Sequence, residues 1–119
     1  MNTFRNLLIW QKSMALVTEI YNATKSFPKE EAFGLTSQIR KCAISIPSNI
    51  AEGFGRDSNK DYLRFLNISI SSLFELQTQL EIAKNISYFT TEQFNKQYED
   101  SREVERMLIA FINKIKERQ

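Results

Sequence analysis

The sequence predicts one all-α domain, an antiparallel four-helix bundle with up-down-up-down topology. Four segments repeat apolar residues at steps of three and four, the spacing of an amphipathic helix. Three glycines and two prolines in 119 residues are too few for the many turns of a β protein. The connections are short, which makes neighbouring helices antiparallel. The predicted domain spans residues 1–119, with helices at about 7–27, 31–52, 59–86 and 91–117.

The first predicted helix has a wide apolar face made of two adjacent lines of residues. One line is Trp10, Met14, Val17, Tyr21 and Thr24, and the other is Ser13, Leu16, Ile20, Ala23 and Phe27. A face of this width is what a helix inside a bundle needs. Phe27-Pro28 ends the segment, because the residue before a proline is disfavoured in the α conformation.

The second predicted helix contains a proline within its apolar pattern. Its inward line is Leu35, Ile39, Cys42, Ile46 and Ile50. Pro47 removes the hydrogen bond to the Ala43 carbonyl and crowds that carbonyl, which costs about 3 kcal/mol in an ordinary helix. We therefore expect helix two to be kinked or broken near Pro47. Gly53 and Gly55 follow, and we expect them to supply a left-handed cap.

The third predicted helix has the most regular pattern in the chain. Its seam is Tyr62, Leu66, Ser69, Leu73, Leu76, Leu80 and Ala83, a heptad spacing that favours near-parallel packing. Ser58, with Asp61 three residues later, resembles a capping box at its start. The small residues Ser69 and Ser72 predict close approach of a partner helix. Ile70 and Phe74 point away from the seam, which leaves open whether this chain or another one buries them.

The fourth predicted helix starts near Thr90 or Thr91, with Gln93 three residues after Thr90 as in a capping box, and runs to the end of the sequence. Its inward residues are Phe94, Ser101, Val104, Leu108, Phe111 and Ile115. Lys114, Lys116 and Arg118 occupy its last turns, where cations complement the negative end of the helix dipole.

The residue types exclude most catalytic sites. The chain has no histidine and one cysteine, which removes histidine-based triads, zinc sites and redox pairs. No glycine-rich phosphate loop is present. We therefore predict that the protein is not an enzyme and has no catalytic residue, metal, cofactor or small-molecule substrate. The weakest alternative is an unrecognised enzyme that uses Glu52 and Asn49 in a cleft beside Pro47, against the interpretation of Glu52 as a salt-bridge partner of Arg56 or Arg40.

The sequence also predicts a cytoplasmic protein without a membrane partner. No apolar run approaches the roughly 20 residues that a membrane span needs. The first residues lack the basic and apolar regions of a signal peptide. A single cysteine is compatible with a reducing compartment.

Charge is concentrated unevenly along the chain. The formal net charge is +2, and residues 1–64 carry nine Lys/Arg against six Asp/Glu while residues 65–119 carry seven against eight. Cations and amides occur together in the set Gln38, Arg40, Lys41, Ser48, Asn49, Arg56, Asn59, Lys60 and Arg64. Such a mixture suits phosphate and base contacts. It equally suits an ordinary polar surface with helix caps, and both interpretations remain open.

Part of this region resembles a known family. Phe33-Gly34-Leu35, Gln38-Ile39-Arg40-Lys41 and the run from Ser45 to Gly53, Ser-Ile-Pro-Ser-Asn-Ile-Ala-Glu-Gly, resemble the bacterial 23S rRNA intervening-sequence proteins. Trp10-Gln11-Lys12 upstream and Glu75–Leu80 downstream are similar to the family's first and third helices. The matching motif positions are Gln38, Arg40, Lys41, Pro47, Ser48, Asn49, Glu52, Gly53, Gly55 and Arg56.

The resemblance implies a four-helix bundle encoded within, or related to genes within, insertions in the large ribosomal RNA. It also implies similarity to accessory proteins of diversity-generating retroelements, which form basic, barrel-shaped homopentamers that bind nucleic acid. Our leading hypothesis is therefore a homo-oligomer, a pentamer by resemblance, that contacts RNA or single-stranded nucleic acid. The candidate contacts are Arg40, Lys41, Arg56, Lys60 and Arg64.

This hypothesis predicts salt-sensitive binding that Arg40→Ala together with Lys41→Ala weakens. The alternative is a protein-interaction scaffold with no nucleic-acid role, which holds a partner through outward apolar residues such as Ile70, Phe74 and Ile82.

Overall fold

A computed structural model describes residues 3–118, which contain four α-helices and no strand. The helices are α1 (Leu8–Ala23), α2 (Leu35–Phe54), α3 (Asn59–Asn85) and α4 (Thr91–Glu117). The all-α prediction is thus confirmed. No helix among these residues is long and apolar enough to cross a lipid bilayer.

The four helices form an elongated bundle of 45 × 23 × 23 Å around one apolar core. Each helix packs against the next in the chain, and α1 also packs against α4, which closes the ring. The largest fully buried apolar side chains are Ile20, Ile39, Ile46, Ile50, Leu66, Leu73, Leu76, Leu80, Leu108 and Ile115. These residues belong to the predicted inward lines, so the helical periodicity identified the core.

The connection between α1 and α2 differs from its prediction, since α1 ends four residues early and α2 begins four residues late. Short 3₁₀ turns at Thr24–Ser26 and Lys29–Glu31 fill the difference. The Thr24 hydroxyl donates to the Ile20 carbonyl at 2.8 Å, which satisfies a carbonyl of the last α1 turn. The Glu31 carboxylate accepts the Leu35 amide proton at 3.1 Å and thereby starts α2.

Pro47 does not break α2, which is continuous from Leu35 to Phe54. Two serines of α3 pack against this stretch, as their small size predicted. The Ser69 hydroxyl donates to the Ile46 carbonyl at 2.9 Å, and the Ser72 hydroxyl lies 2.8 Å from that of Ser45. Close packing and these polar contacts stabilise a helix that carries an internal proline.

The helix caps agree with the sequence at α3 and α4 but not at the end of α2. The Ser58 hydroxyl accepts the Asp61 amide proton, and Thr90 with Gln93 forms a complete capping box. The expected left-handed glycine cap is absent from the described residues, because Gly55 has φ −81° and the only positive φ there belongs to Ser87, at 68°. Carbonyls of Glu52 and Gly53 accept the Gly55 and Arg56 amide protons in an ordinary right-handed turn.

Candidate nucleic-acid interface

The structure divides the five predicted nucleic-acid contacts into two groups. Arg40 and Lys41 lie in the first half of α2, whereas Arg56, Lys60 and Arg64 lie at the α2–α3 junction. The 16 residues from Arg40 to Arg56 correspond to about 24 Å along a helix axis. The two groups therefore form separate surfaces rather than the single cluster that the sequence suggested.

The Arg40 side chain forms hydrogen bonds within the bundle. Its Nε donates to the Thr24 hydroxyl at 2.9 Å and its terminal nitrogen donates to the Tyr21 carbonyl at 3.3 Å. The guanidinium lies 4.5 Å from the centre of the Tyr21 ring. Arg40 thus joins α2 to the end of α1, while the neighbouring Lys41 is exposed.

Two cations of the junction group contact one aromatic ring. The guanidinium groups of Arg56 and Arg64 each lie 4.5 Å from the centre of the Phe65 ring, in a cation–π arrangement. Arg56 pairs with Glu52 at 3.6 Å, and Arg64 pairs with Asp61 at 3.5 Å. Both pairs are exposed, so water screens them and they are weak. The cations therefore keep much of their capacity to contact a phosphate.

The fold adds a second basic segment to this junction. The Tyr62 ring of α3 lies 5.9 Å from the Phe111 ring of α4, and Tyr62, Phe111 and Arg118 line one cavity. The C-terminal turns of α4 therefore lie beside the start of α3. Lys114, Lys116 and Arg118, which the sequence analysis assigned only to the helix dipole, therefore lie at the same end of the bundle as Arg56, Lys60 and Arg64.

We call this surface the basic end of the bundle. It comprises residues 3–7, 52–64 and 114–118, the ranges that meet around the cavity lined by Thr3, Phe54, Tyr62 and Arg118. Its cations are Arg5, Arg56, Lys60, Arg64, Lys114, Lys116 and Arg118, and its acidic residues are Glu52, Asp57, Asp61 and Glu117. Seven cations against four acids give a net charge of +3, whereas nine against ten leave −1 on the rest of the chain. Residues far apart in sequence thus place the positive charge at one end.

The other motif residues divide between the core and the surface. Asn49 donates to the Ser45 carbonyl at 2.8 Å, and Pro47 is buried. Gly53 is also buried, and a Cβ placed on it would lie 2.8 Å from Tyr62 Cδ1. Gln38, Ser48 and Gly55 are exposed. Arg40, Pro47 and Gly53 therefore hold α2 against its neighbours, whereas the exposed motif residues do not.

The arrangement around Glu52 and Asn49 favours the salt-bridge reading. The Glu52 carboxylate is exposed and pairs with Arg56, as one of the two predicted partners. The Asn49 amide nitrogen points back into α2, at 2.8 Å from the Ser45 carbonyl and 3.0 Å from the Ser45 hydroxyl. Each of the two side chains is thus engaged by a residue other than its supposed partner.

Cys42 is buried in the core. Burial is the main cause that raises the pKa of its thiol to about 11, so the thiol is protonated at neutral pH. A buried, protonated thiol packs as a small apolar group and is a poor nucleophile.

Comparisons with known proteins agree with this architecture. The chain is similar in structure to a protein of unknown function from the S23 ribosomal protein family of Bacteroides thetaiotaomicron, with a TM-score of 0.79 and 28% identity. The match covers 88% of this chain and 98% of that one. No curated protein matches the sequence significantly. The sequence model of the family described as "23S rRNA-intervening sequence protein" matches residues 5–110, and the chain therefore belongs to this family.

Proposed function

We propose that the protein is a non-enzymatic, homo-oligomeric helical bundle that contacts RNA through its basic end. The observation that carries this proposal is the net charge of +3 on one end of a chain whose remainder is −1. Phosphate contacts supply most of the affinity of such surfaces, since bound cations release counterions from the nucleic acid. Arg56, Lys60 and Arg64 remain contacts in this proposal, and Lys114, Lys116 and Arg118 join them.

We propose that consecutive helices are antiparallel, in an up-down-up-down order. A helix of 27 residues is about 40 Å long, and the four residues between α2 and α3 cannot span that length. Antiparallel order explains why the end of α4 lies near the start of α3. Pro47 is expected to bend α2 without interrupting it.

Self-association would strengthen binding by repeating the basic end around an axis. The family resemblance suggests five copies, and local charge then rises in proportion to the copy number. Exposed apolar side chains support association, above all Phe33, which is 100% exposed. Between α1 and α2 a groove of about 320 Å³ is lined by Trp10, Met14, Val17, Ile44, Pro47 and Ala51. We propose that a second copy covers this apolar surface, in a cytoplasmic protein with a reduced cysteine.

Binding to ribosomal RNA fragments at several salt concentrations tests the RNA contact. Lys60→Ala together with Lys114→Ala should weaken binding about tenfold or more and make it less salt-dependent. Lys25→Ala together with Lys29→Ala removes the same charge outside the basic end and should change little. Equal losses in both double variants would refute the basic end as the binding surface. Lys41→Ala alone measures the contribution of the separate α2 surface.

The protein-interaction scaffold remains the second candidate, and the exposed apolar residues favour it. Phe74 and Ile82 of α3 are 47% and 43% exposed, while Ile70 packs partly against the core of its own chain. Native mass spectrometry combined with RNA mobility shifts separates the candidates. A stable oligomer that binds no RNA at low salt favours the scaffold.

A further inference from the structure

A cavity of about 360 Å³ opens within the basic end, between the first residues of the chain, the end of α2, the start of α3 and the end of α4. Its walls include three aromatic rings, those of Phe54, Tyr62 and Phe111. The Tyr62 ring lies edge-on to both of the others, at centroid distances of 6.5 and 5.9 Å. The volume is at the low end for ligand pockets, so it suits one small ring system.

One polar group in the wall of this cavity has no partner. Tyr62 is 8% exposed, and its buried hydroxyl has no hydrogen-bond partner within residues 3–118. A buried polar group without a partner destabilises the protein, because its lost hydration is not replaced by another hydrogen bond. Burial raises the pKa of Tyr62 to about 12, so the phenol keeps its proton at neutral pH and can donate it. Solvent does not reach this hydroxyl in the structure, so a ligand in the cavity would supply the missing acceptor once the side chains that cover the hydroxyl shift.

Polar residues at the rim define what kind of ring would fit. Thr3 and Asn6 line the cavity, and their side-chain oxygens accept the Arg5 and Thr3 amide protons, which leaves the Thr3 hydroxyl proton and the Asn6 amide nitrogen as donors; Arg118 contributes a guanidinium. Lys114 and Lys116 lie in the same last turns of α4. The cavity therefore combines aromatic faces, hydrogen-bonding groups and nearby cations. A nucleobase has a flat face, a polar edge and an attached phosphate, and proteins bind unpaired bases with these groups.

We propose that this cavity holds one unpaired nucleobase, while the adjoining phosphates contact the cations of the basic end. The inference rests on the proposed RNA contact and adds a preference for RNA with a bulged or looped base. Paired bases remain stacked inside a duplex and cannot enter, so a duplex contacts only the cations. Bulged RNA should therefore bind more tightly than a fully paired duplex of the same length.

Tyr62→Phe tests the cavity with little risk to the fold, because it removes an unpartnered hydroxyl and keeps the ring. We expect this variant to bind bulged RNA about fivefold more weakly and fully paired RNA within twofold of the unmodified protein. Tyr98→Phe, on α4 outside the cavity, is the matched control and should leave both affinities unchanged. Phe111→Leu removes a stacking face and should lower affinity for bulged RNA by about tenfold, with circular dichroism confirming the fold.

The outcomes separate this inference from the proposed function. Equal binding of bulged and paired RNA, with no effect of Tyr62→Phe, overturns the cavity proposal while salt-dependent RNA binding still stands. If no RNA binds, the proposed function fails, and adenosine and uridine monophosphates test the cavity alone. Shifts of the Tyr62 and Phe111 ring signals in NMR spectra at millimolar nucleotide then support a free-nucleotide ligand. Unchanged ring signals overturn the cavity proposal.

Discussion

Arg40 Nε donates a 2.9 Å hydrogen bond to the Thr24 hydroxyl, which itself donates to the Ile20 carbonyl at 2.8 Å. This relay connects the first half of α2 to the last turn of α1. Thr24 is buried and Arg40 is half-buried, so the connection is partly shielded from water. Arg40 therefore contributes to stability, and a loss of RNA binding in an Arg40 variant would not by itself identify a phosphate contact.

Replacing Arg40 with Ala should lower the free energy of unfolding by about 1–3 kcal/mol, because charge-assisted hydrogen bonds and the packing on Tyr21 are lost. Lys41→Ala is the control, since Lys41 is exposed, and should change stability by less than about 0.5 kcal/mol. Urea unfolding followed by circular dichroism measures both. Equal midpoints for the two variants would contradict a structural role for Arg40.

Gly53 and Gly55 are predicted to respond in opposite ways to alanine. A Cβ on Gly53 would lie 2.8 Å from Tyr62 Cδ1 and 3.2 Å from the Tyr62 carbonyl, whereas the nearest atom to one on Gly55 is 3.6 Å away. Gly53→Ala should destabilise by about 1–3 kcal/mol through overpacking. Gly55→Ala should be neutral or slightly stabilising. Thermal unfolding measures the stability of both variants. A Gly53→Ala protein as stable as the unmodified one would show that α3 can move away from α2.

The hydrogen bonds that the Glu31 carboxylate accepts predict a loss of stability in acid. The hydrogen bond from the Tyr88 hydroxyl, at 2.7 Å, and then that from the Leu35 amide lower the pKa of Glu31 below its ordinary value of 4.5. Because the pKa of Glu31 is lower in the folded than in the unfolded protein, its ionised form stabilises the fold at pH values above the unfolded pKa. This contribution to the free energy of unfolding disappears as the pH falls through the folded pKa. Urea midpoints of the unmodified protein and of Glu31→Gln should therefore converge below pH 4.5.

The Tyr88→Phe variant is the matching test of this pair, since it removes the largest cause of the Glu31 shift and keeps the ring on Phe27. Its stability difference from the unmodified protein should also shrink in acid. A pH-independent difference for both variants would mean that the two side chains contribute through packing alone.

Cys42 should react very slowly with iodoacetamide in the native protein. Its thiol is buried, with a pKa raised to about 11, and alkylation requires an exposed thiolate. Mass spectrometry of labelled protein in buffer and in urea gives the two rates. We expect labelling in urea to be faster by at least a hundredfold, whereas comparable rates would show that α2 opens readily.

Much of the fold could be predicted from the sequence. The spacing of Leu66, Leu73 and Leu80 marks a helix with one buried face, because 3.6 residues per turn place such residues on one side. Caps at Ser58 and Thr90 are local, since their hydrogen bonds span three residues. The membership in the 23S rRNA-intervening sequence family could also be recognised from a contiguous motif.

The tertiary structure alone decided the rest. Arg40 lies in α2 and Arg56 lies two residues beyond its end, yet one is bound to α1 and the other lies at the basic end, a difference that depends on the neighbours of α2. Arg118 lines a cavity with Phe54, although 64 positions separate them in the chain. Local periodicity determines which residues of a helix face inward, but the position of charged residues on the surface depends on how the helices pack against one another.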